Sequence, residues 1–355
     1  MRSLTIAGRT ISDTDPCYVI AEVGNNHGGR LDLAAEMVVA AADCGCDAVK
    51  FQRRDVAHLY TQALLRTPYD HEHSYGATYG THRLALELPL AAYRDVFALG
   101  RRVGIAAFAT AFDAQSADDL LALGPPALKI ASGDLTNTPL LAHVATAGVP
   151  IILSTGGATW ADVDRALNLV HAHTSRVALL HCTAAYPVHQ HAELNLRAIP
   201  TMRDRYPEVV IGWSGHDTGI ALAVMAYTLG ARIIEKHFTL HRTWKGTDQA
   251  FSLEPGGMRR MVRDLGRARE AWGTGEKLRY PSEVAPLRKM EKVLVATRSL
   301  SAGQVLQKTD LTPKIAGLDG IPPYAWETLV GFPLALPLSL DEPITYTHLR
   351  SEATV

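Results

Sequence analysis

The chain has almost no net charge: 35 Lys and Arg oppose 36 Asp and Glu, leaving a formal charge of −1. No basic run breaks that balance, so long-range electrostatics offer nothing to draw in nucleic acid or an anionic membrane, and neither is expected as a partner. Any anion must be gripped locally. Cysteine is scarce as well. Cys17, Cys44, Cys46 and Cys182 fall on or beside apolar runs rather than in paired ligand spacings, which excludes a disulfide framework and reads as buried thiols in a reducing cytoplasm. No stretch reaches about 18 apolar residues without charge. The opening MRSLTIAGRTISDTDPCYVIAEVG has no basic segment followed by a long apolar run and a cleavage site. The expectation is a soluble cytoplasmic protein, neither exported nor membrane-spanning.

What the chain does have is enough apolar content, 47% of 355 residues, to bury one large core and one small one. From residue 18 to about 240 it repeats a short β-branched run, a polar or Gly-rich loop and a longer Ala/Leu-rich stretch of helical period. The runs are Tyr18–Val23, Ala48–Phe51, Ile105–Thr110, Leu128–Ala131, Pro150–Ser154, Val177–His181, Val209–Ser214 and Ile233–His237. Between them the spacing predicts helices such as Leu31–Cys44, Leu90–Arg102, Trp160–His173 and Gly219–Leu229, each long enough for a right-handed crossover. Eight such units close a (β/α)8 TIM barrel. An open doubly wound sheet is disfavoured, since no GxGxxG follows the first run.

After a helical stretch at Gly256–Trp272 the composition shifts through GTGEKLRYPSEVAP to short strand-like runs broken by Gly and Pro. The division predicted is a barrel over 1–275, a linker over 276–290 and a small β-rich domain over 291–355. So thin a core is expected to dock on the barrel or on a partner subunit.

In a parallel barrel the carboxyl ends of the strands converge on one mouth, where chemistry occurs. Here those ends carry Glu22, Lys50 and Gln52, Thr110, Lys129 and Ser132, Ser154, the segment His181 to Tyr186, Ser214 and His216, and Glu235 to His237. One Ser or Thr at a rim is ordinary capping, but a polar group on nearly every strand is not. Lys50 and Lys129 lie within or just beyond apolar runs, where a lysine is costly unless paired or bound to an anion. With Ser132, Ser154 and Ser214 they point to a small phosphate or carboxylate substrate. His216 and His237 end neighbouring strands. Two imidazoles without a cysteine set leave positions open for water and substrate, as in a catalytic rather than a structural metal site. Manganese is the ion expected, with magnesium or cobalt as alternatives. The long segment PYDHEHSYGATYGTHRLALEL, with Tyr75, Tyr79, His82 and Arg83, reads as a surface loop or a cover for the mouth.

In chain order, AEVGNNHGG, VKFQ, KIASGD, LSTGG, HCTAAYP, GWSGHD, EKHFTL and GTDQAFSLEP resemble the sialic acid synthase family, and the tail from about Val293 is similar to the antifreeze-like (SAF) domain of those enzymes. The resemblance spans almost the whole chain. It implies a metal-dependent transferase that joins C3 of phosphoenolpyruvate to the aldehyde of an open-chain sugar, N-acetylmannosamine or a relative, giving a 2-keto-3-deoxy sugar acid and phosphate. It further implies that His216 and His237 hold the metal, that Lys50, Thr110, Lys129, Ser132, Ser154, Tyr186 and Ser214 hold phosphoenolpyruvate, and that Gln52, Asp134 and Asp248 lie near the acceptor. Glu22 is expected to steer or deprotonate the attacking water, with Asp248 aiding proton transfer. A domain-swapped homodimer is also implied.

Two departures fall on the acceptor side. The family's Lys-Arg-Pro-Gly reads Lys314-Ile315-Ala316-Gly317, and isoleucine cannot donate a hydrogen bond. Ala184 stands where sialic acid synthases commonly carry Asn. The alternatives are therefore the same donor chemistry on another acceptor, a phosphorylated sugar or another sugar-type aldehyde, or a non-catalytic sugar-binding homologue.

Overall fold

A computed structural model describes residues 2–349. The chain divides between Gly273 and Thr274 into two compact units.

In the first unit, strands β1 (Ser3–Ile6) and β2 (Arg9–Ser12) form an antiparallel hairpin. Eight parallel strands follow: β3 (Tyr18–Gly24), β4 (Ala48–Arg53), β5 (Ala106–Ala111), β6 (Leu128–Ile130), β7 (Ile151–Ser154), β8 (Val177–Cys182), β9 (Val210–Gly215) and β10 (Ile233–His237). They close as a barrel, β10 pairing with both β9 and β3. The fold is the expected TIM barrel, and the crossover helices include Leu31–Asp43, Leu90–Val103, Trp160–His171 and Ala221–Thr228.

The period-two alternation of each strand sorts its residues. Val19, Ala21 and Val23, Val49 and Phe51, Leu128 and Ile130, Ile211 and Trp213 face out and pack with the helices in one apolar cluster. Tyr18, Ile20, Ala48, Phe108, Ile152, Ala178, Leu180, Val210 and Ile233 form a second cluster inside the barrel. Gly212 belongs to this inner column, where a Cβ would meet Leu180 Cδ2 at 2.4 Å and the Ile233 carbonyl at 2.6 Å. The hairpin's Leu4, Ile6 and Ile11 join the inner cluster, so the hairpin plugs the amino-terminal end of the barrel. Its tight turn places Ala7 and Gly8 at φ 49° and 79°, the conformation favoured in two-residue hairpin loops. Sequence reading missed this hairpin.

Continued upward, the inner column turns polar on every strand: Glu22, Lys50 and Gln52, Thr110, Lys129, Ser154, Cys182, Ser214, then Glu235 and His237. Alternation that buries the floor thereby delivers the polar groups to the opposite mouth. Among the described residues no helix is long and apolar enough to cross a membrane.

The second unit pairs β11 (Val293–Ala296) with β12 (Leu311–Lys314) around its own apolar cluster, which includes Leu294, Leu300, Leu306, Ile321, Leu334 and Ile344. Ile315, next to β12, is 55% exposed.

Candidate active site

The mouth encloses a cavity of about 540 Å³ whose wall includes Glu22, Lys50, Gln52, Thr110, Lys129, Ser132, Ser154, Tyr186, Ser214, His216, His237 and Asp248. Thus twelve of the thirteen residues singled out from sequence share one space. Asp134 is the exception. The SGD sequence tightens into a 3-10 turn over Ser132–Asp134, which leaves Ser132 in the wall while Asp134 accepts from Asn137 Nδ2 at 3.1 Å.

Barrel register sets the charges side by side, with Glu22 opposite His237 on one neighbouring strand and Lys50 on the other. The Lys50 ammonium lies 2.6 Å from Glu22 Oε2 and 3.6 Å from Glu235 Oε1, and donates to Thr110 Oγ1 at 3.0 Å. Burial opposes its charge, but the two carboxylates outweigh burial and hold its pKa above the ordinary lysine value. The carboxylates separate in turn. Burial, helped by the charge of Glu235, pushes Glu22 up to about 7 in spite of Lys50. Burial also works against Glu235, yet Lys50, Lys129 and His237 outweigh it and hold that carboxyl below its usual range. One carboxylate thus stays ionised while its neighbour titrates near neutrality, the arrangement suited to a general base.

Lys129 is buried and donates to Ser154 Oγ at 2.6 Å and to the Ile130 carbonyl at 2.9 Å. No carboxylate among the described residues comes within ion-pair distance of it. Burial, aided by Lys50, pushes its pKa down to about 8 against the pull of Glu235. It remains a largely protonated cation that an anionic substrate would satisfy.

The rings of His216 and His237 stand 5.3 Å apart. His216 Nδ1 lies 2.8 Å from the Thr183 carbonyl, so its proton sits there and the Nε2 lone pair is free. His237 Nδ1 is buried without a hydrogen-bond partner, 3.6 Å from Asp248 Oδ2. Burial is the main force driving both imidazoles down to about 3, leaving them neutral, the state that binds a metal. These two nitrogens fit a divalent ion whose other ligands are water or substrate. Among the described residues no group of three or more His, Cys, Asp or Glu could hold an ion alone. Behind the pair, Lys236 points outward from β10 and meets Asp217 at 2.7 Å.

Asp248, 22% exposed along its side chain, accepts from Thr247 Oγ1 at 2.9 Å, and burial raises its pKa. Tyr186 lies with its ring 4.2 Å from that of His216. Gly156 donates from its backbone to Ser132 Oγ at 3.0 Å, and a Cβ there would press on Ser132 and Ala184.

Two wall residues, Glu235 and Arg54, were visible in the sequence but were given no place among its site residues. Glu235 lies between Ile233 and His237 on the inner column of β10, so period-two alternation was the available signal. It accepts from Ser214 Oγ at 3.1 Å, and its Oε2 is buried without a partner. Arg54 follows β4, stacks over Phe112 at 3.8 Å and donates to Gln52 Oε1 at 2.6 Å and Glu87 Oε1 at 3.3 Å. With its oxygen engaged, Gln52 directs Nε2 to Glu22 Oε1 at 2.6 Å.

Comparison with known proteins agrees with this geometry. The NeuB family model matches residues 37–277 and the SAF domain model residues 291–350. The chain is 36% identical to N-acetylneuraminate-9-phosphate synthase of Homo sapiens, over 95% of this chain and 94% of that protein. To N,N'-diacetyllegionaminic acid synthase of Legionella pneumophila it is 33% identical, over 94% of this chain and 95% of the other. The structure is similar to that of N-acetylneuraminic acid synthetase from Leptospira borgpetersenii, with TM-score 0.70, 32% identity and coverage of 81% of this chain and 95% of that one. The chain belongs to the NeuB family, carries a SAF domain after its barrel, and is an enzyme of the family's carbon–carbon bond-forming type.

Proposed function

We propose that this enzyme condenses phosphoenolpyruvate with the aldehyde of an open-chain sugar. The observation that carries this reading is the Lys129 ammonium, unmatched by a carboxylate, in the same cavity as two neutral imidazoles and a carboxyl that titrates near 7. Lys50, Lys129, Thr110, Ser132, Ser154, Ser214 and Tyr186 hold the donor. A phosphate and a carboxylate on one small molecule supply the charge this set lacks.

In the reaction C3 of phosphoenolpyruvate bonds to the aldehyde carbon, water adds at C2, and phosphate leaves by C–O cleavage. Glu22 accepts the proton of that water, for which a pKa near 7 is well placed. Gln52 aims the Glu22 carboxyl, and Asp248 stands beside the acceptor and exchanges protons with it. His216 and His237 hold a divalent ion, manganese or else magnesium or cobalt, which supplies Lewis-acid polarisation of the aldehyde oxygen when bound.

The acceptor is an acetamido aldose of the N-acetylmannosamine type, in keeping with the acetamido sugar acids named for the relatives. The active form is a domain-swapped homodimer.

The test is phosphate release from phosphoenolpyruvate with manganese across a panel of aldoses, followed by the product mass. Release that depends on the aldose and yields a mass equal to aldose plus pyruvate supports the reading. No release with any aldose leaves a non-catalytic sugar-binding protein.

A further inference from the structure

Lys50, Gln52 and Arg54 alternate along β4 and the residue after it, and all three reach the cavity wall. Arg54 is held from several sides. Glu87, which ends the helix Tyr79–Leu86, accepts from its backbone N–H at 3.1 Å and from its Nη1 at 3.3 Å. Both side chains of this ion pair are largely buried, and the guanidinium lies over the Phe112 ring at 3.8 Å. From that fixed place Nη2 donates to Gln52 Oε1 at 2.6 Å, and Gln52 Nε2 donates in turn to Glu22 Oε1 at 2.6 Å.

The direction of this relay is forced. A guanidinium offers donors alone and an ionised carboxylate acceptors alone, so an amide between them has one orientation. Turned over, the Gln52 amide would set N–H against N–H at Arg54 and oxygen against oxygen at Glu22. Without Arg54, Glu22 would be left to order a side chain of high rotamer entropy by itself. The backbone of Gln52 is fixed too, its carbonyl accepting from the buried Tyr93 Oη at 2.5 Å. Gly24 leaves the space for the last link: a Cβ there would lie 3.1 Å from Gln52 Nε2 and 3.2 Å from Glu22 Oε1. Backbone, amide direction and open space converge on one contact, the one that sets the Glu22 carboxyl in the cavity.

We infer that Arg54, braced by Glu87, is a positioning residue that fixes the Gln52 amide so that its Nε2 holds the Glu22 carboxyl in place to act as the base. Both terminal nitrogens of Arg54 are engaged by the protein, so it acts through Gln52 rather than on the substrate. The part of Glu22 as the base is that of the condensation proposed above, and the assignment rests on it.

The experiment is a double-mutant cycle in the full-length protein. Arg54→Met is combined with Glu87→Gln, which leaves no carboxylate stranded, and the pair is introduced into the wild type and into Glu22→Gln. With Glu22 present the pair is expected to lower kcat by about 10²-fold, with the Kd of phosphoenolpyruvate, read by calorimetry, little changed. In Glu22→Gln the same pair should cost little more, since residues that act through one another are not additive. Arg54→Lys keeps the charge and a donor, and should retain more activity than Arg54→Met. Should the paired substitution fail to fold, Arg54→Lys takes its place in the cycle. A second readout needs no turnover. The Gln52 side-chain amide is followed by NMR in protein carrying isotope-labelled glutamine, its signal assigned by its loss in Gln52→Leu. A short hydrogen bond to a carboxylate holds that proton at low field, and substitution of Arg54 should move it upfield. If the wild type condenses phosphoenolpyruvate with no aldose, the condensation fails, while a moved amide signal still upholds the link from Arg54 to Glu22. An equal fall in kcat in both Glu22 backgrounds, or an amide signal indifferent to Arg54, would overturn it.

Discussion

The Lys50 ammonium sits 2.6 Å from Glu22 Oε2 on the adjoining strand, both side chains almost wholly buried. The pair could have been a plain ion pair with a strongly acidic carboxyl. Because Glu235 shares the same ammonium, the lysine's charge is divided, and burial lifts Glu22 to about 7. Removing its charge by Glu22→Gln is expected to lower kcat about 10²- to 10⁴-fold with a much smaller change in the Kd of phosphoenolpyruvate. Full turnover in Glu22→Gln would end its assignment as the base.

The two shifted groups set a pH dependence. Glu22 must be deprotonated to accept a proton, so kcat/KM rises as pH climbs through about 7. Lys129 must be protonated to hold the donor, so kcat/KM falls as pH passes about 8. The profile for the free enzyme is therefore a narrow bell with limbs near those values. The residual activity of Glu22→Gln should lack the acid limb. An acid limb retained in that variant would assign it to another group.

Lys129→Met removes a buried ammonium that lacks a carboxylate and replaces it with a side chain of similar length. A site kept for binding at a cost in stability should become more stable when the charge goes. The expected gain is about 1–2 kcal/mol, read as a melting temperature higher by a few degrees. KM for phosphoenolpyruvate should rise by about 10-fold or more. A lower melting temperature would show that the Ser154 and Ile130 hydrogen bonds outweigh the cost of burial.

How much of this was legible in the sequence follows from the range of the interactions. The eight barrel strands read well because each is a short apolar run set off by Gly or polar loops, and alternation along a strand is a local property. The same alternation carries Lys50, Lys129 and His237 to the mouth. The Ser3–Ser12 hairpin was lost because strands of four residues show too little periodicity, and its partners are inner-face residues contributed by strands along the whole barrel. Glu235 and Arg54 were left without a role for a related reason. What marks them is a shared lysine 185 positions upstream and a glutamate 33 residues on, and one sequence shows neither pairing. A single local turn sets Asp134 outside the cavity wall.

Chelation tests the metal site. The neutral imidazoles of His216 and His237 supply only two nitrogens, so the ion is expected to exchange, and prolonged treatment with EDTA should abolish phosphate release until manganese is restored. His237→Ala should lose bound manganese by elemental analysis along with its activity. Full activity after the metal has been stripped to below one ion per hundred chains, roughly, would remove the metal from the reaction.

The pairing of Lys236 with Asp217 bears on the same two histidines from behind. Asp217 follows His216 and Lys236 precedes His237, and the 2.7 Å contact joins the loop after β9 to β10 in a place where both side chains are buried. Lys236 also donates to the Asp217 carbonyl at 2.6 Å, so it grips the backbone of that loop as well as its carboxylate. Lys236→Met would leave the Asp217 charge buried without its partner, at an expected cost of about 3–5 kcal/mol. Adding Asp217→Leu removes that stranded charge and should recover much of the stability. Restored stability without restored manganese binding would show that the pair positions the histidines. Restored binding in the double variant would reduce it to a purely structural contact.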